Sequence, residues 1–311
     1  MSEETVPGYV ALHASGELEE RVHTACDLLR DCIVCPQLCH VNRREGQLGF
    51  CRSGDLPTIS SYGPHFGEEP PLVGRYGSGT IFLTNCNMRC SFCQNYAISQ
   101  CGGGYEIACE ELADIMLRLQ ERGCHNINFV SPSHFVPPIM RALDIAASRG
   151  LSIPLVYNSG GYDSVETLRL LDGVFDIYMP DAKYGRNDVA WELSLARNYT
   201  EQMHAALKEM HRQVGDLVLR SGLAVRGLII RHLVLPCNLA SSELVMRFIA
   251  EEISRDTYLN IMAQYRVVRP ASEEDLQRHP YLAQIQRPIT AQEYRYAREC
   301  AKRYGLHRFA D

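Results

Sequence analysis

Short apolar runs alternate with amphipathic stretches from about residue 80 to the end of the chain. Apolar runs of a few residues are typical of buried strands, and apolar residues three and four positions apart are typical of helices. The pattern predicts strands at 81–83, 127–130, 154–157, 175–179, 228–235 and 259–263. It predicts helices at 109–122, 137–149, 164–171, 199–214, 241–253 and 290–304.

Strands that alternate with helices indicate right-handed βαβ units and a mostly parallel sheet. About six units are predicted, fewer than the eight of a complete barrel. We therefore expect an α/β fold, either a partial (β/α)6 barrel of the TIM type or an open doubly wound sheet. In both folds the active site lies at the carboxyl ends of the strands.

The first 78 residues have a different character. Residues 17–30 carry apolar side chains at helical spacing and predict an amphipathic helix. Residues 32–78 are rich in Cys, Gly and Pro without sustained periodicity, which indicates a segment organised by loops or metal. We expect two parts, an N-terminal helix with a cysteine-rich metal-binding segment (1–78) and a core with a closing helix (79–311).

Composition and charge exclude several classes of protein. With 46% hydrophobic and 22% charged residues, the chain is not disordered as a whole. The net charge of −6 and the lack of a Lys/Arg cluster argue against nucleic acid as a partner. The first residues do not resemble a signal peptide, and the longest apolar runs are too short to span a bilayer. We expect a cytoplasmic protein without a membrane partner.

The 13 cysteines stand out. They are about 4% of the chain, well below the share that marks a disulfide scaffold, so their spacing is the informative feature. Cys86, Cys90 and Cys93 follow the first core strand at C-x3-C-x2-C spacing. Thiolates are the usual ligands of iron–sulfur clusters, and three of them leave one iron of a four-iron cluster open for chemistry. The alternative is a structural zinc loop or unrelated buried thiols.

These three cysteines, with the aromatic Phe92 before the last, resemble the signature of the radical S-adenosylmethionine (SAM) superfamily. The resemblance implies that they hold a [4Fe-4S] cluster whose open iron is chelated by the amino and carboxylate groups of SAM. It implies that an electron from the cluster cleaves SAM to methionine and a 5′-deoxyadenosyl radical, which abstracts a hydrogen atom from substrate. It also implies an electron donor such as flavodoxin or ferredoxin.

Other segments resemble the pyruvate formate-lyase activating enzymes, and more closely their PflX-type homologues. That resemblance implies that Asp181 and Lys183 face the methionine part of SAM, and that Arg231 contacts its carboxylate or ribose. It implies hydrogen bonds to SAM from Asn158 and Ser159. A rim salt bridge, a buried ion pair and a plain loop are the respective structural alternatives.

The chain departs from the superfamily after the second core strand, where many members carry Gly-Gly-Glu to hold the SAM amino group. Here Ser131 and Ser133, or backbone carbonyls, would take that role. Asn95 and Gln264 are further candidates for SAM contacts. Asn95 follows the loop that carries Cys86, Cys90 and Cys93 (the cluster loop), and Gln264 follows the last core strand. No catalytic residue is identified from the sequence.

A second group of cysteines lies near the N-terminus. Cys32, Cys35, Cys39 and Cys51, at C-x2-C-x3-C-x11-C spacing, could close a tetrahedral metal site. Zinc, an auxiliary [4Fe-4S] cluster and metal-free thiols all remain open.

Three functions compete at this point. The first is a radical SAM enzyme that abstracts hydrogen from a glycine of a partner protein, as an activase does. The second is a radical SAM enzyme acting on a small molecule. The third is a non-catalytic metal-binding or redox protein, against which the intact cysteine triplet argues.

Overall fold

The computed structural model describes residues 6–268 and 270–310. Its strands, in chain order, are β1 (Thr58–His65), β2 (Ser78–Leu83), β3 (Tyr105–Glu106), β4 (Ile127–Val130), β5 (Leu155–Ser159), β6 (Ile177–Pro180), β7 (Val218–Arg220), β8 (Leu223–Leu233), β9 (Tyr258–Met262) and β10 (Arg308–Phe309). Its helices are α1 (Gly8–Ser15), α2 (Glu17–Asp27), α3 (Pro70–Val73), α4 (Tyr96–Ser99), α5 (Cys109–Glu121), α6 (Val136–Ser148), α7 (Val165–Leu170), α8 (Asn187–Ser194), α9 (Tyr199–Val214), α10 (Ser242–Phe248), α11 (Glu273–Arg278), α12 (Pro280–Gln284) and α13 (Ala291–Arg303).

The strands form one sheet in the order β10-β9-β8-β6-β5-β4-β2-β1-β3, with β7 beside β8. The strands from β2 to β10 in this order pair in parallel, whereas β1 pairs antiparallel with both β2 and β3, and β7 pairs antiparallel with β8. Helices connect the successive parallel strands. The predicted α/β fold with a mostly parallel central sheet is confirmed, and it is consistent with a partial TIM-type barrel.

The inner face of the sheet changes from apolar to polar along the strands. Residues of several strands contribute to a small apolar cluster, which consists of Leu72, Val156, Ile177, Met179, Leu217, Ala224 and Ile229. Leu72 belongs to α3, and its carbonyl accepts a hydrogen bond from Asn126 just before β4. Because side chains alternate along a strand, Asn158 lies two residues beyond Val156 on the same face, and Arg231 two beyond Ile229. The polar end of the interior is therefore the carboxyl end.

The N-terminal helices pack on this core. Tyr9, Leu18 and Ala25 are fully buried within the main hydrophobic cluster. The Tyr9 hydroxyl donates to the carbonyl oxygen of Ile153 at 3.0 Å, which ties α1 to the loop before β5. No helix in the described ranges is long and apolar enough to cross a membrane.

The strand β1 does not appear in the pattern of the sequence. Most of its residues are only half-buried, and it contains Gly63 and Pro64, both of which are uncommon inside strands. Pairing with β2 from Ile59 to His65 holds it in place. It adds an antiparallel strand to the parallel sheet, and the segment after it brings Glu69 to a buried position.

Candidate active site

A cavity of about 370 Å³ opens at the carboxyl ends of the parallel strands. Residues at or just beyond the ends of six strands line it, namely Leu83, Val130, Ser159, Asp181, Leu233 and Met262. The cavity therefore lies where an α/β fold is expected to place its active site.

The three cysteines after β2 all line this cavity. The hydroxyl of Ser194 donates to Cys90 Sγ at 3.0 Å, and Ser99 Oγ lies 3.2 Å from Cys93 Sγ. Main-chain hydrogen bonds hold the loop from the other side, because Arg89 N and Ser91 N donate to the last carbonyls of α8. The cluster loop is thus fixed both at its sulfur atoms and along its backbone.

Burial raises the pKa of Cys86 to about 12 and that of Cys90 to about 11, and the Lys183 ammonium partly opposes the shift at Cys90. Metal binding at these sulfurs must therefore displace protons. Among residues 6–268 and 270–310, no three His, Cys, Asp or Glu side chains are arranged around a single ion. Cysteine thiolates are the usual ligands of iron–sulfur clusters, so three thiols that line one cavity fit such a cluster.

Asp181 is the centre of a buried ion network beside the thiols. Its carboxylate accepts from Arg231 Nε at 2.7 Å and from the Lys183 ammonium, and Arg231 also donates to Asn158 Oδ1 at 2.6 Å. Burial raises the pKa of Asp181, but Arg231 and Lys183 outweigh it and leave that pKa below its ordinary value. Two cations share one carboxylate, so this network carries a net positive charge.

Backbone contacts hold this network in position. Asp181 pairs with Arg231 in a parallel β-bridge, and the Tyr199 hydroxyl accepts from Lys183 N at 3.0 Å. Gly161 makes the approach possible, because a Cβ there would lie 2.1 Å from the Asp181 carbonyl oxygen and its φ is +72°. A side chain at position 161 would therefore clash with the backbone of Asp181, so the site requires glycine there.

Asp163 is a buried residue that sequence reasoning missed. It accepts hydrogen bonds from the hydroxyls of Ser159 (2.6 Å), Tyr157 (2.9 Å) and Ser133 (2.5 Å). Burial raises the pKa of Asp163, and these hydrogen bonds lower it in part. The hydroxyl protons of Ser159 and Ser133 are thus committed to Asp163, whereas Ser131 lines the cavity.

Glu68 is a second residue that the sequence did not indicate. It lines the cavity from the segment between β1 and β2. Burial raises its pKa to about 7, with Arg231 acting to lower that pKa and Glu69 and Asp181 to raise it. The neighbouring Glu69 accepts from Asn260 Nδ2 of β9 at 2.9 Å. This bond joins the β1–β2 connection to β9, on the opposite side of the parallel strands from β2.

The structure brings most of the predicted residues together. Asn158, Ser159, Asp181, Lys183 and Arg231 line the same cavity as the three cysteines. The weaker candidates Asn95 and Gln264 line it as well. The N-terminal cysteines Cys32, Cys35, Cys39 and Cys51 are not among the residues that line it.

The comparisons with known proteins agree with this geometry. Residues 80–227 match the family model of the radical SAM superfamily. Over 299 residues the chain is 33% identical to the uncharacterized protein MJ0674 of Methanocaldococcus jannaschii, an alignment that covers 93% of this chain and 79% of that protein. It is 26% identical over 157 residues to the uncharacterized protein MJ0808 of the same organism, across 45% of this chain and 46% of the relative.

The chain belongs to the radical SAM superfamily. Membership implies an enzyme that uses a [4Fe-4S] cluster and SAM, and that requires a reductant. The names of the two relatives do not state an activity, so they do not identify a substrate.

Proposed function

We propose that this protein reductively cleaves SAM, with Cys86, Cys90 and Cys93 as the ligands of its [4Fe-4S] cluster. The observation that carries the proposal is one cavity that combines these thiols with a buried ion network at the carboxyl ends of the strands. When bound, the cluster and SAM supply an electron and a 5′-deoxyadenosyl radical for hydrogen abstraction.

The residues of the chain divide the work of binding SAM. Lys183 and Arg231 supply positive charge for the carboxylate of SAM, and Asp181 holds both cations beside the thiols. Asn158 orients the Arg231 guanidinium, and Asp163 fixes the Ser159 hydroxyl at the rim. Polar side chains placed this way lose little further freedom when a ligand binds, which favours affinity.

The direct test is the formation of 5′-deoxyadenosine. The protein is reconstituted anaerobically with iron and sulfide, reduced with dithionite and given SAM. We expect 5′-deoxyadenosine and methionine in equal amounts, measured by liquid chromatography and mass spectrometry. A reconstituted protein that holds iron and sulfide but forms neither product would contradict the proposed function.

For the substrate, we propose a glycine residue of a partner protein, as in the pyruvate formate-lyase activating enzymes that segments of this chain resemble. The segments around Asn158, Asp181 and Arg231, which resemble those enzymes, support this assignment. A flavodoxin or ferredoxin is the electron donor that suits such an enzyme. The free cysteines suit the reducing cytoplasm.

One observation favours a small-molecule substrate instead. The hydrogen bond from Asn260 to Glu69 spans from β9 to the segment before β2, across the six parallel strands from β2 to β9. This contact bridges the gap between β9 and the segment before β2, and so narrows the opening through which a loop of a partner protein could enter there. A small molecule that enters the cavity at the carboxyl ends of the strands, beside the three cysteines, would not have to pass through this opening.

Deuterium transfer distinguishes the two substrates. Cells of the source organism are grown on deuterated glycine, and their lysate is separated by size. The reconstituted enzyme is incubated with SAM and each fraction. If the substrate is a protein, deuterium should appear in 5′-deoxyadenosine only with the high-mass fraction. Transfer only from the low-mass fraction would contradict the glycyl assignment and support the small molecule.

Glu68 leads to a pH prediction. Its pKa of about 7 means that it becomes anionic between about pH 6 and 8, and SAM carries a sulfonium cation. The Glu68 carboxylate attracts the sulfonium cation of SAM in the same cavity, so SAM binding should release a proton from Glu68. The affinity for SAM should therefore become about fivefold tighter as pH rises through this window. Arg231, Asp181 and Glu69 are the charged neighbours that set the effect.

The comparison is made with Glu68→Gln by measuring the SAM dissociation constant of reconstituted protein at each pH. The amino group of SAM titrates near pH 8 and affects both proteins equally. The variant should lack the part of the pH dependence centred near 7. If the dissociation constants of the two proteins show the same pH dependence, Glu68 does not contribute to SAM binding.

A further inference from the structure

The N-terminal cysteine set, Cys32, Cys35, Cys39 and Cys51, forms a second compact group of thiols. Cys32, Cys35 and Cys51 are buried, and the other three sulfurs of the set lie close enough to Cys35 to act on it electrostatically. The loops that carry Cys39 and Cys51 pack directly together, because a Cβ on Gly49 would lie 2.7 Å from Cys39 Sγ. The four residues are therefore one cluster in space as well as in sequence.

Hydrogen-bond donors point at these sulfurs. Phe50 N donates to Cys39 Sγ at 3.3 Å, and Arg43 lies 3.9 Å from Cys32 Sγ. Donors directed at sulfur are characteristic of metal-bound thiolates, whose charge they stabilise. A neutral, metal-free thiol gains little from such donors.

Arg43 gives an independent observation, because its charge needs a partner. Its side chain is 1% exposed, and it donates to the carbonyls of Gly54 and His134, the latter at 2.7 Å. In the part of the chain that the structure describes, none of its hydrogen bonds is to a carboxylate. A buried cation without a counter-charge is costly. Anionic sulfur at the N-terminal cysteine set is the nearest chemistry that removes this cost.

The backbone beside the N-terminal cysteine set is strained at three positions. Leu38, His40 and Arg52, which adjoin Cys39 and Cys51, have φ angles of 43°, 52° and 58°. Non-glycine residues enter this left-handed region at a cost of about 1 kcal/mol each. Such a cost persists where the surroundings over-determine the conformation, as they do when a metal centre holds neighbouring side chains.

We propose that the N-terminal cysteine set holds a second iron–sulfur cluster, with Arg43 as its buried charge partner. A single zinc would require four sulfurs at about 2.3 Å from one point. No three ligating side chains in residues 6–268 and 270–310 are arranged in that way, and the same is true of the thiols assigned to the SAM cluster. A four-iron cluster binds each thiolate through a different iron, so its ligands need not converge on one point.

The second centre contacts the first through the protein. Gln37 donates to the Asn87 carbonyl at 2.9 Å, and Arg89 donates to the Phe50 carbonyl at 2.7 Å. Asn85 Nδ2 also donates to Ser53 Oγ at 3.2 Å. The loop that carries the catalytic thiols is thus bonded to the segment 37–53 on which the second cluster is built.

The test uses a chain in which Cys86, Cys90 and Cys93 are all replaced by Ala, so that its outcome does not depend on SAM cleavage. After anaerobic reconstitution and desalting, we expect about four irons and four sulfides per chain, whereas the wild-type chain should hold about eight irons. Adding Cys35→Ala should remove this iron, whereas adding Cys124→Ala, at a buried cysteine outside both groups, should not. One zinc without sulfide, or no more than four irons in the wild-type chain, would overturn the proposal.

Arg43 is tested in the same background through the reduction potential of the cluster. A nearby cation stabilises the reduced, more negative cluster, so Arg43→Met should lower the potential and Arg43→Lys should leave it close to the parent value. A merely structural arginine would give the same change in both variants, because both lose its two carbonyl contacts. Equal potentials for Lys and Met would refute the charge-partner role.

Discussion

Replacing Cys90 by Ala should abolish SAM cleavage, with 5′-deoxyadenosine falling by more than about a hundredfold. Cys90 is the most deeply buried of the three proposed ligands, and the Ser194 hydroxyl fixes its sulfur at 3.0 Å. Removing that sulfur leaves two protein ligands, too few to retain a four-iron cluster at this position. Iron and sulfide content, together with 5′-deoxyadenosine, measures the loss.

The fold of this variant should survive. Ser194 keeps its hydrogen bond to the Tyr184 hydroxyl at 2.5 Å, and only one hydroxyl proton of this pair loses its acceptor. The expected loss of unfolding free energy is about 1 kcal/mol, typical of removing one buried atom. Cys124→Ala is the matched control and should retain iron and activity. Undiminished 5′-deoxyadenosine in Cys90→Ala would exclude Cys90 as a ligand.

The core of the fold was predictable because burial on both faces leaves a strong pattern. Strand β4 coincides with its predicted range, and so does helix α9. Strands covered by helices on one side and packed inside a barrel on the other are apolar runs bounded by polar loops. The site residues at the strand ends followed from the same pattern, since polar side chains come directly after apolar runs.

The elements that the sequence did not reveal are those whose stability comes from distant partners. The strand β1 contains Gly63 and Pro64 and depends on pairing with β2. The helix α8 is short and amphipathic, yet its last carbonyls hold the cluster loop. Local propensity does not encode either role, because tertiary contacts decide both.

Buried polar partnerships were equally hidden. The carboxylate of Asp163 accepts three hydroxyl donors, two from β5 and one from the loop after β4, and the sequence does not indicate this role. Glu68 lies in a segment without periodicity and enters the cavity only because β1 ends beside it. Each of these depends on three-dimensional neighbours that spacing alone does not specify.

Replacing Asp181 by Asn should destabilise the metal-free protein by about 3 kcal/mol and weaken SAM binding at least tenfold. The variant keeps the shape of the side chain but removes the carboxylate that bridges the adjacent cations Arg231 and Lys183, and breaking such a buried pair typically costs about 3–5 kcal/mol. Urea denaturation of metal-free protein measures the stability, and the SAM dissociation constant of reconstituted protein measures the binding.

The pH at which this difference appears follows from the depressed pKa of Asp181. A carboxylate whose folded-state pKa lies below its unfolded value of about 3.9 contributes stability above that pH, and loses it as pH falls through the folded pKa. The full difference should therefore be present at neutral pH and shrink in strong acid. Asp114→Asn, which breaks a half-exposed pair with Arg149, should cost under about 1 kcal/mol. If Asp181→Asn costs no more than this control, the buried network does not stabilise the fold.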